Sequence, residues 1–304
     1  MDILKYFSNN IENILQKKIA EDIKNKIEEI RLRANKNIIV MYDNKELIID
    51  YIVTTEDLLK TLSHITENSI YTYQNQICNG FITVHGGHRV GITGNVAIEN
   101  DKVVNIVYIN SLNFRIARQV KGCSDFILKY IYSDSGYINN TLILGAPGSG
   151  KTTILRDLIR NISDGNYEKK GVTVGVIDER SEISAMYKGI PQVDLGQRTD
   201  VLENIPKTLG IKMMIRSMAP KVIAVDEIGG IKDAESINYA VCSGVKGIFT
   251  AHGNSLKDLR NNPELNDILK RKIIEKVLVL SSERKGQLQK KYYLDKSNCE
   301  YKEY

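Results

Sequence analysis

Residues 145–152 read G-A-P-G-S-G-K-T, a glycine, four residues, then Gly-Lys-Thr. No other stretch limits the possible folds as strongly, because this loop needs a strand before it and a helix after it. Its glycines let the backbone turn tightly and aim several N–H groups at phosphate oxygens, Lys151 reaches the β- and γ-phosphates, and Thr152 offers a hydroxyl to Mg²⁺. Residues 141–144, T-L-I-L, suit a buried strand, and Ile154, Leu155, Leu158 and Ile159 recur at helical spacing. That order sets the positive end of a helix against phosphate. A glycine-rich turn without a ligand is the competing reading, and the flanking strand and helix argue against it. The expected nucleotide contacts are Gly145, Ala146, Pro147, Gly148, Ser149, Gly150, Lys151, Thr152 and Thr153.

A chain of 304 residues can hold two domains, each burying its own core. Its net charge of +5 is too mild to argue for nucleic acid or an anionic membrane. Cys78, Cys123, Cys242 and Cys299 stand far apart with no CxxC pair, which speaks against a disulfide frame or a zinc site. The opening M-D-I-L-K-Y-F-S lacks a signal peptide's apolar region, and no apolar run approaches the roughly 18 residues of a membrane span. The expectation is a cytoplasmic protein that reaches a membrane only through a partner.

Leu4, Phe7, Ile11, Ile14, Leu15, Ile19, Ile23, Ile27 and Ile30 form one helical stripe, which predicts one long or two short amphipathic helices packed on the protein's own sheet. Strands are expected at 30–33, 37–42 and 46–51 and a helix at 55–67. Residues 80–107 alternate apolar and polar between glycines, a hairpin or meander. His85 and His88 fall there, and with no carboxylate or cysteine cluster nearby they read as turn residues rather than metal ligands. A helix at 124–132 leads toward Thr141, so the domain boundary is placed near residue 120. Apolar runs at 172–177, 222–225 and 247–251, separated by helix-length segments, predict a mainly parallel sheet with helices on both faces. Residues 276–280 and 290–294 look like a closing antiparallel hairpin around Lys285 and Gly286. The fold class is therefore α/β: a smaller α+β domain over 1–120 and a phosphate-loop domain over 121–304.

K-V-I-A-V-D-E-I-G-G, residues 221–230, is an apolar strand ending in two carboxylates, as a Walker B element should be. Asp226 is placed to hold Mg²⁺ and Glu227 to polarise the water that attacks the γ-phosphate. V-T-V-G-V-I-D-E-R-S, residues 172–181, repeats the design, so Asp178 is expected as a further magnesium ligand and Glu179 as a catalytic group on the same carboxyl edge. His252 ends a third strand in T-A-H and is read as a γ-phosphate sensor. Arg180, Arg198, Arg216, Arg115 and Arg118 are candidates for a guanidinium supplied in trans, with Arg115 and Arg118 also expected as nucleotide contacts. ATP and Mg²⁺ are the expected cofactors.

The phosphate loop, D-E-R-S-E-I, V-D-E-I-G and T-A-H-G in that order resemble the secretion ATPase superfamily of type II and type IV secretion and pilus-retraction motors. In its terms Asp178 and Glu179 match the Asp box, Asp226 and Glu227 the Walker B, and His252 the His box. The longer strings E-I-R-L-R, G-G-H-R-V-G-I-T-G, N-F-R-I-A-R-Q-V-K-G and G-Q-R-T-D-V through I-R-S-M-A-P-K-V-I-A-V-D-E-I-G resemble the stage III sporulation AA family over nearly the whole chain. The resemblance implies a RecA-like ATPase in the mother-cell cytoplasm of an endospore former. It also implies a homo-hexamer docked on membrane proteins of a sporulation channel, whose secretion-like transport it energises. The superfamily usually has Gly-Glu where this chain has Asp226 and Glu227, and the four-cysteine motif of some type II motors is absent. Two other classes compete: a RecA-like motor on nucleic acid, touching phosphates through the hairpin at His88 and Arg89, and a nucleotide-gated scaffold with little turnover. Keeping both carboxylates, Asp226 and Glu227, disfavours the scaffold.

Overall fold

The computed structural model describes residues 2–133, 135–165, 169–295 and 297–304, divided between two units: Met1–Arg118 with Ala185–Gln192, and Gln119–Ser184 with Val193–Tyr304. The first begins with a 3₁₀ turn (Asp2–Tyr6) and α1 (Asn9–Lys18), where the Ser8 hydroxyl caps the helix by accepting from the Ile11 N–H. Phe7, Ile11 and Leu15 are wholly buried on the predicted stripe. The stripe does not stay helical, however. After the short α2 (Glu21–Lys24) the chain extends into β1 (Ile27–Arg33), so Ile27 and Ile30 are strand residues. A register shift between Ile27 and Glu29 lets residues three apart both face inward, and such a bulge imitates helical spacing in the sequence.

β2 (Asn37–Tyr42), β3 (Lys45–Ile52), α3 (Thr55–Ile65), a 3₁₀ turn (Ile70–Tyr73), α4 (Gln74–Cys78), β4 (Phe81–Val84), β5 (His88–Glu99) and β6 (Lys102–Arg115) complete this unit. Its six strands form an antiparallel sheet in the order β3-β2-β1-β6-β5-β4. Helices and sheet share one core, in which the rings of Phe7 and Phe114 lie 4.3 Å apart. Ala185–Gln192, distant in sequence, packs into the same unit: Gln192 Oε1 accepts from the Gly86 N–H at 2.8 Å, and Lys188 pairs with Glu67 at 2.6 Å.

In the second unit α5 (Asp125–Ile131), β7 (Thr141–Gly145), α6 (Lys151–Asp164), β8 (Val174–Asp178), β9 (Thr199–Glu203), α7 (Lys207–Met218), β10 (Val222–Val225), α8 (Ile231–Cys242), β11 (Lys246–His252), α9 (Leu256–Asn261), α10 (Pro263–Lys270), β12 (Lys276–Leu280), β13 (Leu288–Asp295) and β14 (Glu300–Glu303) follow in order. The eight-stranded sheet runs β14-β13-β12-β7-β11-β10-β8-β9. From β12 to β9 all pairings are parallel, and β13 and β14 close one edge antiparallel. Leu142, Leu144, Ile223, Val225, Phe249 and Val279 share a core with α7 to α10. Alternate side chains face the other way, where α6 packs on β7, β8 and β11 and buries Ile154, Leu155, Leu158, Ile159 and Ile162. Each such side chain gains about 1.5–3 kcal/mol of transfer free energy. Edge strands β9 (T-D-V-L-E) and β14 (E-Y-K-E) carry acids rather than apolar runs, which is why periodicity did not find them.

Parallel pairing fixes where chemistry can sit. β7, β8, β10, β11 and β12 all end on one edge, which collects residues 145–150, Asp178, Asp226, His252 and the turn after Leu280.

Candidate nucleotide site

Between β7 and α6 the loop folds tightly, with Gly150 at φ 97° forming the N-cap of α6. A Cβ on Gly145 would lie 2.3 Å from Ser149 Oγ, so any side chain there would push that hydroxyl aside. That hydroxyl is buried without a hydrogen-bond partner, a polar atom held ready for a ligand oxygen. Lys151, although buried, has its Nζ 2.9 Å from the Gly145 carbonyl and 3.0 Å from that of Ala146. Burial lowers its pKa, opposed by the charges of Asp226 and Glu227. A cation whose partners are two carbonyls of its own loop and the ring of His252 fits a site that receives an anion.

Opposite the loop, Asp226 Oδ2 accepts from Thr152 Oγ1 at 2.6 Å, and its Oδ1 accepts from Thr250 Oγ1. Thr250 Oγ1 in turn accepts from the Glu227 N–H at 2.9 Å. Glu227 stands at φ 52°, a left-handed conformation that costs a non-glycine residue about 1–3 kcal/mol. Lys207, in the first turn of α7, holds it there by donating to the Glu227 carbonyl at 2.7 Å. The Glu227 carboxylate meets His252 Nε2 at 3.2 Å and the Arg180 guanidinium at 2.5 Å. His252 Nδ1 lies 3.3 Å from Lys151 Nζ. A lysine can only donate, so Nδ1 accepts, the ring proton sits on Nε2 and points at Glu227. One hydrogen-bonded path therefore runs from the phosphate loop through His252 to Glu227. Glu179 shares the adjoining cleft and pairs with Lys207 at 3.2 Å. Thr152 and Asp226 together present the hard oxygen donors that Mg²⁺ prefers.

Asp178, expected as a further magnesium ligand, is tied into a turn of its own chain. Its carboxylate is buried and accepts from the N–H groups of Glu182, Ile183 and Ser184 and from the Ser184 hydroxyl at 2.7–3.0 Å. These bonds brace the turn after β8. Arg156 stiffens the same turn from α6, donating to the carbonyls of Glu182 and Ile183.

The arginines separate by topology. Arg198 lies just before β9 and donates to the Ser163 carbonyl at the end of α6, and Arg216 lies in the last turn of α7 before β10. Both stand at the amino edge of the sheet, away from the phosphate loop of their own chain, so only Arg180 of these three is brought to it. Arg115 and Arg118 belong to the first unit, where Arg118 donates to the Ile27 carbonyl at 2.8 Å and Arg115 pairs loosely with Glu29 at 3.8 Å. There His88 Nδ1 accepts the Ala117 N–H at 3.1 Å. Sequence reasoning assigned no part to Lys207, Thr250 or Arg156. A lone lysine at a helix start and a threonine inside a strand carry no local pattern; Thr250 could have been suspected from its place two residues before His252.

The fold aligns with that of the Legionella pneumophila ATPase DotB at a TM-score of 0.57 and 15% identity, covering 90% of this chain and 78% of DotB. It aligns with the pilus retraction motor PilT, solved with bound ADP, at 0.58 and 15%, covering 88% and 77%. At such identity the likeness shows a shared fold. In sequence, stage III sporulation protein AA of Bacillus subtilis (strain 168) is 40% identical over 280 residues, 92% of this chain and 90% of that protein. The family model for sporulation stage III, protein AA matches residues 1–298, and the chain belongs to that family.

Proposed function

We propose that this protein is a Mg²⁺-dependent ATPase that works as a ring of identical copies and energises a membrane-associated, secretion-like channel in endospore formation. The observation that carries the catalytic part is the path Lys151–His252–Glu227 joined to Thr152–Asp226–Thr250. The backbone N–H groups of residues 145–153 and Lys151 bind the phosphates, and Ser149 Oγ finds its missing partner there. Thr152 and Asp226 would hold Mg²⁺, which would supply charge neutralisation on the phosphate oxygens. Glu227 accepts a proton from the attacking water, and for this its carboxylate must exchange Arg180 for that water. Once Glu227 takes the water instead, Arg180 can turn toward the transferring phosphoryl group. His252 reports the change at the phosphate through its bond to Lys151. Glu179, tied to Lys207, keeps the backbone of Glu227 in its left-handed turn.

Family membership supports the sporulation setting, and the fold shared with two secretion and pilus motors supports a mechanical output. Among the described residues no helix is long and apolar enough to cross a membrane. Lys151→Ala should abolish ATP binding and turnover. Glu227→Gln should retain binding and lose about 10²–10⁴-fold in kcat. Phosphate release by purified protein that is unaffected by either substitution overturns the assignment.

A further inference from the structure

The turn between β12 and β13 is a neighbour of the phosphate loop to which the mechanism above gives no part. β12 runs parallel beside β7 with Val279 opposite Leu144, so its continuation leaves the carboxyl edge next to residues 145–150. A Cβ on Gly145 would lie 3.3 Å from that of Leu280. Beyond Leu280 the chain braces itself: Ser281 N–H donates to the Gln287 carbonyl at 2.7 Å, and Ser281 Oγ accepts from the N–H groups of Glu283 and Arg284 at 3.2 and 3.1 Å. The braced turn is then fastened to the loop. Gly286, at φ 75°, donates its N–H to the Ser149 carbonyl at 2.9 Å. A Cβ on Gly150 would stand 3.5 Å from Gly286 N and 3.7 Å from Lys285 Cγ. The stem of Lys285 thus runs alongside Gly150, the residue that precedes Lys151, while its charged end is exposed.

We propose that the turn at residues 281–287 is part of the nucleotide site, with the Gly286–Ser149 bond fixing the outer wall of the phosphate loop and Lys285 adding a second cation, from the same chain, to the polyphosphate. This rests on the reading that residues 145–152 take a nucleoside triphosphate. A lysine is a mobile point charge on a four-carbon stem, so it contributes through charge rather than a fixed fork. Its contribution must therefore grow with the number of phosphates and weaken with salt. A loop held by a neighbouring strand also keeps its N–H groups aimed before the ligand arrives, the preorganisation that lets backbone donors bind anions strongly. Arg284, exposed one residue earlier, supplies further positive potential at the same rim.

The test is calorimetric titration of the full-length protein with ATP, ADP and AMP in the presence of Mg²⁺, at low and high salt. Lys285 is exposed, so its replacement leaves the fold intact. Lys285→Ala should weaken ATP about two- to fivefold, the scale of one partly solvated charge pair. Lys285→Glu should weaken it further, with smaller losses for ADP and AMP and a shallower salt dependence. Lys285→Arg should restore affinity. If Lys285→Glu binds ATP like the wild type while Lys151→Ala does not, the inference falls and the phosphate-loop reading stands. Equal losses for ATP and AMP also overturn it, because a charge acting on phosphates must discriminate them. Should Lys151→Ala leave ATP affinity unchanged, the site reading itself fails and this inference with it.

Discussion

Asp178 and Asp226 end adjacent parallel strands, yet their carboxylates meet different neighbours. Asp226 faces two hydroxyls, from Thr152 and Thr250, which a metal can displace or share. Asp178 faces three backbone N–H groups and the Ser184 hydroxyl. Asp178→Asn replaces one acceptor oxygen with an NH₂ that confronts those donors, at a cost of about 1–3 kcal/mol. Thermal unfolding should report this as a Tm lower by several degrees, with the Mg²⁺ concentration for half-maximal turnover unchanged. A variant of unaltered Tm that demands far more Mg²⁺ would return Asp178 to the metal. Lys207 belongs to the same scale, because its two partners, Glu179 and the Glu227 carbonyl, hold a strained residue in place. Lys207→Met should lower kcat more than ATP affinity, since the phosphate loop does not touch it; steady-state kinetics beside ATP titration separates the two.

Each unit carries a buried aspartate that organises a helix. Asp57 completes the capping box of α3 and accepts from Ser8, Tyr51 and Thr54. Asp157, inside α6, accepts from the Ser124 N–H and hydroxyl and from Gly122, fixing the entry to α5. Burial pushes both pKa values up, but these hydrogen bonds, with Arg160 beside Asp157, outweigh it and hold both below the ordinary aspartate range. The folded state then binds fewer protons than the unfolded chain at acid pH. The stabilisation is complete above the ordinary aspartate value of about 3.9 and is lost as pH falls through the lower folded-state values. Denaturant unfolding between about pH 6 and pH 3 should show wild-type stability declining on acidification. Asp57→Asn in the first unit and Asp157→Asn in the second should start lower and decline less; parallel curves for variant and wild type would rule the linkage out. Neither aspartate stood out in the sequence, because capping and bracing depend on which turn packs where. Strand ends were legible for the opposite reason: apolar runs buried on both faces, such as V-I-A-V before Asp226, must stop where polar chemistry begins. The bulge at Ile27 hid a strand under helical spacing. Arg198 and Arg216 looked equivalent to Arg180 until helix direction set them at the amino edge.

Across the whole molecule the chain passes between the two units three times, after Arg118, Ser184 and Gln192. Ser184, the last residue before the second crossing, is held by Asp178 at the end of β8. The strand that supplies Glu179 and Arg180 is therefore joined covalently, through a braced turn, to a segment packed in the first unit. The arginines bear on assembly. Arg180 is engaged by Glu227, and Arg198 and Arg216 sit at the far edge of their own sheet. On the proposed mechanism Arg180 acts within its own chain and a ring adds a guanidinium from a second copy, for which Arg198, Arg216, Arg115 and Arg118 are the candidates; a trans arginine is worth about 10³–10⁵ in rate. The rate of ATP hydrolysis per chain should accordingly rise at least about tenfold as protein concentration carries the mass from monomer to oligomer. Light scattering on the same samples measures that mass. Alanine at the arginine acting in trans should remove the rise without preventing assembly, and mixing that variant with Lys151→Ala should partly restore activity, since each then supplies what the other lacks. A rate per chain that stays constant while the mass increases would separate hydrolysis from assembly and rule out the shared site.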